Sequence, residues 1–397
     1  MIVNLANLSV AVLFDGYAPL HENKDPGLIA LGLSRIGCSV TLLALPKAEL
    51  IEYKSPFTIM TPDAEKLGQA SFWRGLSADV VICYTWLEPA YNSIIRAICT
   101  SGKKVVVKAD LDGRLGYPVM PRQIERQMAV NPSPRSLWHW FRHRWLFGEY
   151  RELFAARLEE RTEQIRMANR VIIETPKAHD NIQRFFAYWN RPELIKKFNV
   201  ISNPVADDVS TSRLLPKQNI VASAARWDDL LAKNTLAMLK CARKFLEDNK
   251  DWRLRLLGQG EALLDESVST WPNDIGERVQ ILGTVTHDKM PRLLGDARMF
   301  FMPSNWESWS LASSEAVCMG CTIVGTPLEP LYFLSRQGFS GTIASNFSSD
   351  SILHALKIDK SKHEHDKYDP TEIAGYWRPK LSLNEVALQI HELVAAL

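Results

Sequence analysis

The chain has 397 residues, 46% of them apolar and 23% charged, with a formal net charge of +2. That length is more than one hydrophobic core usually serves, so two domains are expected, and the composition is that of an ordinary folded protein. The near-zero charge balance gives no argument for a nucleic-acid partner, and no run reaches the roughly 18 apolar residues a membrane-spanning helix requires.

The N-terminus, MIVNLANLSVAVLFDG, lacks the basic start, long apolar stretch and small-residue cleavage site of a secretory signal. It reads as a first strand. Short runs rich in Val, Ile and Leu then recur between longer helical stretches: 10–14, 40–45, 80–84, 105–108 and 171–174 in the first half, and 220–224, 254–257, 279–282, 299–302 and 322–324 in the second. Apolar runs without polar alternation indicate strands covered on both faces, hence parallel sheets. Their repeated alternation with helices gives an α/β architecture. Pro204, Pro216 and a polar stretch between Asn203 and Asn219 mark a linker. The expected organisation is two Rossmann-like doubly wound domains facing each other across a cleft, 1–208 and 209–375, with 376–397 a C-terminal helix packing back on the first. The six cysteines are scattered, mostly in apolar runs, as buried free thiols are, which fits a reducing, cytoplasmic compartment. Cys318 and Cys321 form a lone C-x-x-C, without the second pair or nearby histidines of a zinc site.

Open α/β sheets bind ligands at the carboxyl ends of their strands, so the loops after these runs are where chemistry is expected. After the first strand, FDGYAPLHENKDPGL contains Gly16, either a turn glycine or a point where backbone can approach a phosphate. In VVVKADLDG, Asp110 ends a later strand as either a turn cap or an acid–base group. Segment 132–147, PSPRSLWHWFRHRWLF, interleaves Trp138, Trp140 and Trp145 with Arg135, Arg142 and Arg144. It suits an interfacial membrane helix, a packed insertion helix or a lid over the cleft. In the second half ARWDDLLAKN sets Arg226 and Lys233 after a strand, LRLLGQG carries Gly258 and Gly260, and VQILGTV leads into Thr284.

The most informative segment is PSNWESWSLASSEAVCMG, with Glu307 and Glu315. On one helix these would lie roughly 12 Å apart along the axis, too far to act together on one small group. Glu307 is therefore placed in the loop after the strand and Glu315 one or two turns into the following helix. Ser308, Trp309 and Ser310 then sit at the helix N-terminus, where unpaired backbone N–H groups hold an anion or sugar hydroxyls. An ionised carboxylate suits a vicinal diol, so one carboxylate per ring, a diphosphate apart, matches a nucleotide-sugar.

This segment resembles the large retaining GT-B family known as glycosyltransferase family 4, or glycosyl transferases group 1. The family hallmark is Pro-Ser, a short gap, Glu, a seven-residue spacer, Glu-Ala and a following Gly. Pro303, Ser304, Glu307, Glu315, Ala316 and Gly320 stand at those places. The resemblance implies a GT-B fold and transfer of a sugar, with retained stereochemistry, from a nucleotide-diphosphate donor to a saccharide or other hydroxyl acceptor in polysaccharide or glycoconjugate synthesis. The donor is a co-substrate, and neither a cofactor nor a metal is implied. Glu307 is implied to touch the donor sugar, Glu315 the ribose hydroxyls, and Arg226 with Lys233 the diphosphate. The physics agrees for the two cations, because the leaving group gains negative charge as the glycosidic bond breaks.

Ser308-Trp309-Ser310 stands where the family commonly has Gly-Phe-Gly, keeping the aromatic and narrowing the donor pocket. Gly16 stands at the family's phosphate loop and Thr284 near the base. Asp110 occupies the place where many relatives carry a histidine near the transferred sugar, and there it orients the donor or takes the acceptor's proton. Asp110-x-Asp112 is also the D-x-D of metal-dependent GT-A enzymes, a fold the other motifs do not share. The resemblance is strong over about 220–343 and holds only in outline before that. Two other readings stay open: a GT-B-fold sugar-nucleotide epimerase, which releases free sugar, and a non-catalytic sugar-nucleotide-binding module. The expected location is the cytoplasm, peripheral to the inner face of the membrane if 132–147 is the interfacial helix.

Overall fold

The structure is a computed structural model that describes residues 8–17, 21–45, 55–113, 115, 134 and 158–397. Apart from Pro134, the Trp- and Arg-rich segment 132–147 lies outside the described residues. The chain forms two compact units, Met1–Pro204 together with Leu383–Leu397, and Val205–Ser382.

The first unit is built on seven strands: β1 (Ser9–Asp15), β2 (Ser39–Leu45), β3 (Thr58–Met60), β4 (Val80–Tyr84), β5 (Lys104–Lys108), β6 (Arg170–Ile173) and β7 (Phe198–Val200). They lie in the order β3-β2-β1-β4-β5-β6-β7, every pair parallel. Successive side chains of a strand point to opposite faces. In β1, Ala11 and Leu13 enter one core cluster while Val10 and Val12 enter the other. Both faces are covered, which is why the strand is apolar at every step.

The second unit repeats the scheme with six strands: β8 (Gln218–Ala224), β9 (Arg253–Leu257), β10 (Val279–Ile281), β11 (Ala297–Met302), β12 (Thr322–Gly325) and β13 (Gly341–Ile343). Their order is β10-β9-β8-β11-β12-β13, again parallel throughout. Phe300 and Met302 of β11 pack into one cluster, Met299 and Phe301 into the other. The expectation of a doubly wound α/β chain with two Rossmann-like sheets holds. In each sheet the direction of winding reverses between the first strand and its inner neighbour, β1/β4 and β8/β11. Such switch points are where open sheets leave a crevice for ligands.

Among the helices, α1 (Asp25–Arg35) follows β1, α2 (Pro176–Tyr188) follows β6, α3 (Thr235–Asp248) follows β8, and α4 (Leu311–Cys318) follows β11. Helices α5 (Ser349–Glu364) and α6 (Pro370–Leu381) complete the second unit, and α7 (Leu383–Ala395) returns to the first. There α7 lies on α1, close enough that a β-carbon at Gly32 would stand 2.9 Å from the Ala387 methyl. Helix α2 is capped by Thr175, whose hydroxyl accepts from the Ala178 N–H at 3.1 Å, with Pro176 opening its first turn. Helix α4 is buried from Ser313 to Cys318, so one glutamate is carried inside an otherwise uncharged helix. It stops at Gly320, where a β-carbon would lie 2.6 Å from the Pro370 carbonyl oxygen.

Candidate active site

At the β8/β11 switch point two loops are tied together. Asn305 donates from its backbone N–H to the Ala232 carbonyl at 2.8 Å and from its amide to the Leu231 carbonyl at 2.7 Å. Asn234, in left-handed backbone with φ 54°, returns a bond from its amide to the Pro303 carbonyl at 3.0 Å. The fully buried Ser304 accepts from Thr326 at its carbonyl and donates from its hydroxyl to Glu307 Oε1 at 2.7 Å. Lys233 Nζ donates to the same oxygen at 2.8 Å. The Lys233 side chain is only 17% exposed, so this pair is shielded from solvent far more than an ordinary surface bridge. Arg226, in the same loop, is 70% exposed and stands 3.8 Å from Asp229. Gly258, after β9, underlies this loop, since Ala225 N–H donates to Leu257 and Trp227 N–H to Gln259.

Glu315 lies one turn into α4 with its side chain 4% exposed. Its Oε1 is 3.0 Å from His287 Nε2, and His287 Nδ1 is 3.0 Å from Asp208 Oδ2. Burial pushes the imidazole pKa down, but the hydrogen bond and charge of Glu315, reinforced by Asp208, outweigh it and raise the group to about 9. Of the residues between the two glutamates, Ser308 is half-buried, and Trp309 turns into the core, its ring 5.9 Å from that of Phe333. Ser310 precedes α4, its hydroxyl 2.7 Å from that of Ser313. Thr284 is exposed after β10, with its N–H donating to Glu261 Oε1 at 3.1 Å.

The first unit carries its own charged group at the carboxyl ends of its strands. Gly16 follows β1 with φ 74°. Asp110 follows β5 in left-handed backbone, φ 49°, and its Oδ2 accepts from the indole of Trp86 at 3.1 Å. Beneath it Lys108, the last residue of β5, pairs with Glu174 beyond the end of β6, both fully buried. Burial raises the Glu174 carboxyl to about 8 despite the lowering effect of Lys108. Asp25, at the start of α1, rises to about 7 for the same reason.

The structure thus joins Lys233 to Glu307 and separately joins Glu315 to two residues the motifs do not contain. His287 and Asp208 carry no sequence signal, being distant in the chain from Glu315. Lys108 and Glu174 did carry one: each is a charge at the carboxyl end of a strand otherwise apolar on both faces.

Residues 208–368 match the family described as glycosyl transferases group 1. That match lies within the second unit, Val205–Ser382. The whole chain also shares its fold with solved structures that it covers almost end to end. HepE from Anabaena, in complex with UDP, aligns with a TM-score of 0.68 at 13% identity, over 98% of this chain and 100% of that one. The lipopolysaccharide outer core galactosyltransferase WaaB aligns at 0.65 and 12%, over 98% and 100%. WaaG, a glycosyltransferase involved in lipopolysaccharide biosynthesis, aligns at 0.61 and 14%, over 98% and 99%. At such identities these structures establish the two-sheet GT-B fold. No curated protein matches the sequence.

Proposed function

We propose that this glycosyltransferase takes its sugar from a nucleoside-diphosphate donor and transfers it, with stereochemistry retained, to a hydroxyl of a saccharide or other acceptor in glycoconjugate or polysaccharide synthesis. The observation that carries this reading is the Lys233–Glu307 pair, held at the switch point by Ser304 and the paired asparagines. A cation and a carboxylate side by side match the two charges that develop when a glycosyl–phosphate bond breaks, negative on the diphosphate and positive on the sugar ring. Fixed groups aimed at developing charge need no reorganisation during reaction. Lys233 and Arg226 take the diphosphate, Glu307 the sugar and Glu315 the ribose, with Ser308–Ser310 contributing backbone contacts and Thr284 lying near the base. A donor phosphate oxygen then helps to take the acceptor's proton as attack proceeds from the face of the departing group. In the first unit, Asp110 orients the donor or takes that proton, and Gly16 admits a phosphate to the backbone. No cofactor or metal is part of this scheme.

A uridine nucleotide is the first donor to try, because the Anabaena relative was solved with UDP and with UDP-glucose. Among the described residues no helix is long and apolar enough to cross a membrane. The proposed location is the cytoplasm, with 132–147 as the segment for peripheral contact with the inner membrane face.

The test is thermal shift with UDP, GDP and ADP, followed by donor turnover and product analysis for Arg226→Ala and Lys233→Ala. We expect stabilisation by one nucleotide at millimolar concentration and turnover lowered about ten- to a thousandfold in each variant, the range for loss of a preorganised charge contact. Full turnover at saturating donor in either variant removes that residue from the diphosphate. Free sugar as the sole product in the presence of every acceptor points instead to an epimerase.

A further inference from the structure

We infer that His287 is a positioning residue for Glu315: it clamps one carboxylate oxygen so that the group is held ready for the two ribose hydroxyls. The inference rests on the reading of Glu315 as the ribose carboxylate. A glutamate has three rotatable side-chain bonds, and burying its carboxylate unsupported is costly. Helix α4 offers no charged partner of its own, since Glu315 is its one ionisable carboxylate beside a buried cysteine. The partner comes from elsewhere. His287 belongs to a turn, His287–Lys289, and is itself fixed by Asp208 of the short helix Asp207–Ser210.

The order Asp208–His287–Glu315 therefore spans three separate elements with 3.0 Å at each contact. A carboxylate on each ring nitrogen requires both nitrogens to donate, which is the imidazolium. The charged groups acting on it are these two acids, and they hold its proton to about pH 9. An imidazolium suits this task better than lysine or arginine. It has two rotatable bonds and two donors at a fixed separation, so it sets a distance as well as supplying a charge. A carboxylate oriented before the nucleotide arrives avoids the ordering cost on binding.

The test measures binding of the nucleoside diphosphate that stabilises the enzyme, and of its 2′,3′-dideoxy counterpart, to the full-length chain and to His287→Ala, His287→Gln and Glu315→Gln. We expect His287→Ala to weaken the ribonucleotide about tenfold, as loss of an orienting partner commonly does, and to leave the dideoxy nucleotide unaffected. His287→Gln, which keeps a donor in that direction, should recover most of the affinity. Wild-type affinity for the ribonucleotide should fall above about pH 9, and that fall should be missing from His287→Gln. Equal weakening of both nucleotides would mean that His287 only supports the fold, and the inference fails. A ribonucleotide affinity that responds to Glu315→Gln but not to His287→Ala overturns the inference and leaves the ribose assignment standing. No response to Glu315→Gln, or no binding of any nucleoside diphosphate, removes the ribose assignment and the inference with it. Should His287→Ala fail to fold, His287→Gln and the wild-type pH profile decide the matter.

Discussion

Glu307 and Glu315 differ in what holds them, and this predicts that they fail differently. Glu307 accepts from an ammonium and a serine hydroxyl on one oxygen, in a loop. Glu315 is pinned inside a helix by an imidazole. The sugar that Glu307 is proposed to touch flattens and gains positive charge at the transition state, so its contact strengthens during reaction. The ribose does not change. Removing a contact that is equal in ground and transition state raises KM, whereas removing one made in the transition state lowers kcat. Glu307→Gln is expected to lower kcat more than it raises the donor KM, and Glu315→Gln to do the reverse. Steady-state kinetics on the two variants check this, and identical or inverted profiles would sink the assignment of sugar and ribose ends. At this scale the sequence pattern conveyed which residues to examine but not what Pro303 and Ser304 do. Their role is local support: a proline carbonyl that accepts from Asn234 and a buried hydroxyl aimed at Glu307. The Ser304–Glu307 bond is local, three residues apart, whereas the Asn234 partner of Pro303 is not visible in a spacing rule, because that bond depends on where a second loop is placed.

Among the elements, legibility followed burial. All ten apolar runs became strands, since a strand covered on both faces is apolar along most of its length. The three strands not foreseen, β3, β7 and β13, have three residues each and lie at sheet edges or beside them in the described order. With sequences TIM, FNV and GTI they hold too few residues to show a period. The glycines after the strands meet a constraint that the sequence does not display. Gly258 has φ 106°, and a β-carbon there would lie 2.0 Å from the Ala225 carbonyl oxygen, in the loop that carries Arg226. Gly338, in the same unit, has φ 98° but only the Lys362 ammonium nearby, at 3.5 Å. Gly338→Ala should therefore show backbone strain alone, about 1–3 kcal/mol. Gly258→Ala adds a backbone clash, and should cost about 2–5 kcal/mol and weaken nucleotide binding besides. Denaturant titration with binding measurements on both variants checks this. Equal destabilisation of the two would show that the approach to Ala225 carries no energy.

Among the described residues, His363 in the second unit and the pair Asp25 and Glu174 in the first respond to pH in opposite senses. In the second unit Asp359 of α5 accepts from the hydroxyls of Thr322, Thr342 and Tyr368. Thr322 gives its proton to Asp359, so His363 Nε2, 3.0 Å from the Thr322 oxygen, must be the donor in that contact. Burial, aided by the charges of Arg298 and Lys217, lowers His363 to about 3, and the ring is neutral in the fold. An unfolded histidine takes up its proton near pH ~6.5, so this group favours folding above that pH and the benefit is lost as pH falls toward 3. In the first unit the sign reverses. Burial raises Asp25 and Glu174, so the fold keeps protons that the unfolded chain releases above about pH 4, and their contribution is lost as pH rises toward about 7 and 8. Lowering the pH from about 6.5 to about 5 should therefore weaken the second unit relative to the first. Hydrogen exchange, corrected for the intrinsic rate, measures it: protection should fall in β11 and β12 and hold or rise in β4 and β5. His363→Gln keeps the donor to Thr322 but cannot be protonated, and should remove most of the fall in β11 and β12. If both sheets lose protection together, or if His363→Gln leaves the response unchanged, the buried histidine does not govern the acid limb.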